Sequence, residues 1–162
     1  MGSLMTFLKF LGLVVALNIV RYTVPLPYEW PLAVAPMMEV MQKNPVYFNS
    51  DFTTFDWVTS YFYNFIMWCG FTWVYYYLHK AFKGNHVTRS LKVYAIMLVL
   101  FSAVSAIYMN HYSHPKGFYV WSIVDAALVF PPVAIANGLL FPLIFKKELV
   151  GSHTEPIEKT TV

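Results

Sequence analysis

The chain has 162 residues, of which 58% are hydrophobic, 19% aromatic and only 12% charged, against about 25% charged in ordinary soluble domains. With a mean hydropathy of +0.52, and with the apolar residues gathered in long uncharged runs, this composition excludes a soluble globule and indicates a small polytopic membrane protein. The formal charge of +3 reports how loops distribute across a bilayer rather than an affinity for nucleic acid, and the single cysteine, Cys69, excludes an intramolecular disulfide, a CxxC redox pair and a cysteine-built metal centre.

The first apolar run, about 4–24, carries Lys9 near its start and Arg21 near its end and fits a spanning helix. A cleaved signal peptide competes for it, since Ala33-Val34-Ala35 resembles a small-residue cleavage site, but Arg21 and Pro36 argue against cleavage. From Pro25 to Asp56 the composition changes to prolines (Pro25, Pro27, Pro31, Pro36, Pro45) and carboxylates (Glu29, Glu39, Asp51, Asp56). Proline at this density breaks a long helix, so the segment reads as an ordered outer loop with one short interfacial helix around Ala35 to Gln42. Tyr28, Trp30, Tyr47 and Phe48 suit a headgroup zone.

The second span, about 57–78, has no charge and ends in the aromatic cluster Trp73 to Tyr77. Lys80, Lys83, Arg89 and Lys92 then form a short basic connection to the third span, about 93–110. The fourth span, about 118–145, holds Pro131-Pro132 near its middle, and neighbouring helices must cover the break in hydrogen bonding there. The expectation is one all-α membrane domain over residues 1–145, an antiparallel bundle of four transmembrane helices with a Pro-rich outer loop between the first two, followed by a polar tail, 146–162.

Basic residues set the orientation. The second connection has four, and Lys146 and Lys147 begin the tail, so both face the cytoplasm. The loops on the other side are poor in Lys and Arg and face outward, placing the N and C termini inside, in a plasma (inner) membrane.

Asp125 is the one carboxylate inside a span, and intramembrane carboxylates generally face a bundle interior or a wet cavity. Asn18, Asn64, Ser105 and Tyr108 lie at about the same outer depth on the other three helices. Together with Trp121 and His111 they outline an outward-facing pocket, and the competing reading is that these groups only hydrogen-bond between helices and fix the packing.

Three functions follow. A non-enzymatic binding or accessory protein would hold a bound lipid or another lipophilic small molecule, or join a homo-oligomer or larger membrane complex. Aromatic side chains such as Phe62, Trp68, Phe101 and Phe130 would wall the cavity. A metal-dependent oxidoreductase or hydroxylase would use His111 and His114 with outer acids drawn from Glu29, Glu39, Asp51, Asp56 and Asp125. Pro115 disfavours helical geometry at His114 and weakens that set. A proton-linked transporter would use Asp125, with the Pro131-Pro132 break as a hinge. Haem fails on depth, because His79 and His111 fall at opposite ends of their helices. Met37, Met38 and Met41 read as an interfacial amphipathic turn rather than a soft-metal cluster.

Overall fold

In the computed structural model, which describes residues 2–48 and 53–146, the described residues are helical with no strand. α1 spans Gly2–Thr23, α2 Leu26–Glu29, α3 Ala35–Gln42, α4 Thr54–Leu78, α5 His86–His111 and α6 Lys116–Ile144; a π-helical turn, Trp30–Val34, joins α2 to α3, and a 3-10 turn, His79–Ala81, follows α4.

The Pro-rich segment is more helical than its composition suggests. The helix expected at Ala35 to Gln42 is present, and helical structure also fills Leu26–Val34. Pro27 lies in the opening turn of α2, where the N–H it lacks would have no helical partner. Pro31 and Pro36 follow Trp30 and Ala35, both helical in backbone, and fall in and just after the π turn, which closes through the Ala35 N–H on the Trp30 carbonyl. The winding therefore continues through these prolines with a local change of register.

Two caps displace the boundaries read from hydrophobic runs. Thr53 and Asp56 form a reciprocal capping box that starts α4 at Thr54 rather than Trp57. Asn85 accepts from the Thr88 N–H at 2.8 Å and starts α5 at His86. Much of the basic connection is therefore the first two turns of α5. Gly84, at φ +118°, supplies the left-handed residue this tight turn requires.

α6 runs unbroken through Pro131, Pro132 and Pro142. Pro132 cannot donate to the carbonyl four residues before it, that of Leu128, and the Tyr28 hydroxyl of α2 donates to that oxygen at 3.4 Å. The α2 segment thus covers part of the break that proline opens.

α6 is the centre of the packing, contributing Ala126, Val129, Phe130, Val133, Ala134 and Phe141 to the core, with Leu13, Val14 and Leu17 from α1, Trp68 and Tyr75 from α4, and Val93 and Tyr94 from α5. Phe130 meets Trp68 at 5.7 Å and Phe71 at 5.3 Å between ring centroids, both edge-on, the geometry aromatic quadrupoles favour. α5 and α6 approach most closely at Gly138, where an added Cβ would lie 2.4 Å from the Val87 Cα. Beside it Asn137 Nδ2 donates to Ser90 Oγ at 2.9 Å. α1 and α4 touch near both ends, Phe10 with Trp73 at 5.7 Å and Tyr22 with Tyr61 at 5.5 Å.

The outer surface is apolar, with Leu4, Phe55, Val58, Val99 and Leu143 all largely exposed. Three helical stretches, Leu4–Thr23, His86–His111 and Lys116–Ile144, are long and apolar enough to cross a membrane. α4 is not among them, although residues 57–78 carry no charge. Absence of charge is not apolarity: Tyr, Trp, Thr and Asn count as polar on the water-transfer scale by which the other three stretches qualify.

Candidate functional site: a shared guanidinium between two carboxylates

The most concentrated charge within the packed helices lies where α1 ends. Arg21 occupies the last turn of α1. The chain turns at Pro25, whose carbonyl accepts the Glu29 N–H at 2.8 Å, and this brings Glu29, at the end of α2, back over Arg21. The guanidinium and the carboxylate form a two-pronged pair, Nη1 to Oε2 at 2.9 Å and Nη2 to Oε1 at 2.8 Å. Such fork geometry is the strongest form of Arg–carboxylate contact.

Asp125, in the third turn of α6, approaches the same guanidinium beside Glu29, with Oδ2 at 3.8 Å from Nη2. Side-chain exposures are 13% for Arg21, 5% for Glu29 and 23% for Asp125, so the group is mostly withdrawn from solvent. One guanidinium serves two carboxylates. The formal charge is therefore −1 unless a proton or a cation joins the group. Asp125 Oδ1 is buried with no hydrogen-bond partner, so an acceptor with unused capacity already sits in the site.

Aromatic groups frame it. Tyr22 lies beside Arg21, with the guanidinium carbon 5.1 Å from its ring centroid. Burial, and secondarily the Glu29 charge, push the Tyr28 hydroxyl above its ordinary range of 10. It therefore stays protonated and can donate to Leu128.

The polar residues expected at one depth do not form one network. Asn18 Nδ2 donates to the Val14 carbonyl of its own helix at 2.9 Å, and Asn64 Oδ1 accepts from Trp68 Nε1, also in its own helix, at 2.8 Å. Ser105 is buried within α5, whereas Tyr108 on the same helix is exposed and contacts Tyr112. Trp121 is half-buried. Among the expected pocket residues, Asp125 is the one whose polar contact reaches another helix.

His111 Nδ1 lies 2.8 Å from the Ile107 carbonyl oxygen, and His114 Nδ1 lies 3.0 Å from the Tyr119 hydroxyl. Among the described residues no three of His, Cys, Asp and Glu come together as a metal site. Asp51, one of the acids considered for that role, lies outside the described residues.

Arg21 and Glu29 are the functional candidates that a search within the spans overlooks, since Arg21 reads as a helix-end charge and Glu29 as a loop carboxylate. The available signal is opposite charges eight residues apart across Pro25, whose turn returns one to the other. No family model, curated protein or solved structure matches this chain.

Proposed function

We propose that this is an integral membrane binding or accessory protein of the plasma membrane, in which α1, α4, α5 and α6 cross as an antiparallel four-helix bundle. Both termini face the cytoplasm, the α2–α3 segment lies on the outer side, and the Arg21–Glu29–Asp125 group receives the polar head of a lipophilic molecule. Support for α4 as a span comes from its length of 25 residues, about 37 Å of helix, and from its contacts with α1 near both ends. Its exposed aromatic rings suit interfacial belts.

The observation that carries the binding role is the buried, unpartnered Oδ1 of Asp125 beside a pair already complete between Arg21 and Glu29. A ligand hydroxyl or protonated amine donating to Oδ1 would complete the site, and a cationic head would also neutralise its excess charge. The test is organic extraction of detergent-purified protein followed by mass spectrometry, with Asp125→Asn alongside. A stoichiometric compound in the wild type, lost or depleted in a folded Asp125→Asn variant, is the expected result. Its absence from both would overturn the reading.

A second reading, proton-linked transport, draws on the same excess charge: a single proton shared between two carboxylates is a natural carrier state. It predicts proton flux in proteoliposomes that Asp125→Asn abolishes, without an extractable ligand. The oxidoreductase reading gains nothing from His111 and His114, each of which sits beside a local oxygen rather than converging with the other.

A further inference from the structure

A second polar cluster lies at the opposite end of the molecule, where the end of α4, the 3-10 turn, the start of α5 and the end of α6 meet. Asp125 and Asn137 are twelve residues apart on α6, about 18 Å, and the cluster surrounds the Asn137 end. His79 is only 4% exposed; its Nδ1 lies 2.7 Å from the Tyr76 carbonyl oxygen, while its Nε2 is buried without a partner. His86 stacks on it at 6.2 Å between ring centroids, with its own Nδ1 unpartnered. Arg89, one turn further along α5, interacts electrostatically with both imidazoles, and its Nε is also buried without a partner.

No carboxylate among the described residues pairs with Arg89. Glu29, Glu39, Asp56 and Asp125 all belong to the other end. Lys80 and Lys83 add positive charge nearby, and Lys92 Nζ donates to the Lys83 carbonyl at 3.1 Å, bracing the turn. Two unpartnered imidazole nitrogens and the unpartnered Nε–H of Arg89 lie together, and no carboxylate among the described residues faces the guanidinium. A buried donor without a partner is costly, so an anion accepting from Arg89 would recover energy the free protein forgoes.

We propose that His79, His86 and Arg89 bind a phosphate-type anion, the headgroup phosphate of an anionic phospholipid in the adjoining leaflet or free phosphate of the same chemistry. Arg89 supplies the donor fork that matches phosphate oxygens. His79, whose Nδ1 proton points to the Tyr76 carbonyl, donates from Nε2 when that nitrogen takes up a proton from solvent or from a protonated phosphate. The neighbouring Phe141 ring, 4.9 Å from His79 and 5.9 Å from His86 between centroids, walls the site on its apolar side.

Native mass spectrometry of the full chain in mild detergent tests this, with phosphatidylglycerol, phosphatidylcholine or inorganic phosphate added separately and thermal midpoints recorded in parallel. The wild type should retain phosphatidylglycerol over phosphatidylcholine, and Arg89→Gln should weaken that retention roughly tenfold. Arg89→Lys, which keeps the charge but not the fork, should give a smaller loss and serves as the readout if Arg89→Gln does not fold. Lys43→Gln, at the other end, should behave as wild type.

Displacement of the lipid by inorganic phosphate, with an Arg89-dependent rise in the thermal midpoint, would assign the site to free phosphate. Arg89-dependent lipid retention that inorganic phosphate does not disturb would assign it to the headgroup. Equal retention of both lipids with no Arg89-dependent response to inorganic phosphate, or phosphatidylglycerol retention and phosphate response unchanged in the folded Arg89 variants, would overturn the proposal.

Discussion

Arg21 faces two carboxylates, so its loss should cost more than the loss of either partner. Arg21→Met would leave Glu29 and Asp125 facing each other in a largely buried place, and breaking a buried ion pair from one side typically costs about 3–5 kcal/mol. The exposure of Asp125, 23%, favours the lower end. The thermal midpoint in detergent should fall accordingly, and Arg21→Met combined with Glu29→Gln should recover part of the loss by removing one of the stranded charges. A double variant less stable than Arg21→Met alone would mean that the pair does not hold α2 against α1. Asp125 was legible in the sequence because a carboxylate inside a span stands out. Its partners were not, because the pairing depends on how tightly the chain turns at Pro25, and hydropathy does not report that turn.

At the scale of the helix pair, Gly138 decides how closely α5 can approach α6. A methyl group there would lie 2.4 Å from the Val87 Cα, a backbone atom that cannot swing aside. Gly138→Ala should therefore push the helices apart and destabilise by about 1–3 kcal/mol, the usual range for overpacking. Gly70→Ala, on α4 with nothing within 4 Å of the added carbon, should be neutral or stabilising by up to about 1 kcal/mol through helix propensity. Comparing the two thermal midpoints separates close packing from glycine chemistry in general.

His79, in the turn between α4 and α5, adds a pH dependence. Burial holds its imidazole below the ordinary 6.5, with Lys80 and Arg89 acting in the same direction against its backbone hydrogen bonds; His86, Tyr75 and Tyr76 also face it. The unfolded chain then binds the proton more readily than the folded one. The His79 contribution to stability is thus complete above the unfolded value of 6.5 and is lost as pH falls from there toward the folded value. In lipid-free detergent, the thermal midpoint should decline on acidification through this window, and His79→Gln should make the decline shallower. An equal slope in the variant would remove His79 as its source.

Element boundaries show where a hydrophobic-run reading reaches its limit. The helices α4 and α5 begin before the apolar runs at about 57 and 93, because the Thr53–Asp56 box and the Asn85 cap are side-chain signals outside those runs. Prolines read as breaks in the sequence, whereas helical structure continues through Pro27, Pro31 and Pro36.

For the whole molecule, polarity divides between two ends: an acid-rich group of Arg21, Glu29 and Asp125 under the Pro-rich segment, and a base-rich group of His79, His86 and Arg89 beyond α4. Between them lies an aromatic core of Trp68, Phe71, Tyr94 and Phe130. This division was partly legible in the charge distribution, which placed the basic connection on one side and the acidic loop on the other. The convergence of individual side chains was not. Counting along the sequence puts Asn18 and Asn64 at the depth of Asp125, yet each makes its hydrogen bond within its own helix. Depth can be counted along a sequence, but the direction in which a side chain leaves its helix depends on the packing.

A four-span bundle with both termini on one side requires α4 to cross the membrane together with the three more apolar stretches. The direct measurement is labelling of single cysteines by an impermeant thiol reagent in a Cys69→Ala background, with Val46→Cys and Lys83→Cys flanking α4 and Ser113→Cys and Ser152→Cys flanking α6. Val46 and Ser113 should label on intact cells, and Lys83 and Ser152 only after permeabilisation. Labelling of Val46 and Lys83 from the same side would contradict the four-span arrangement.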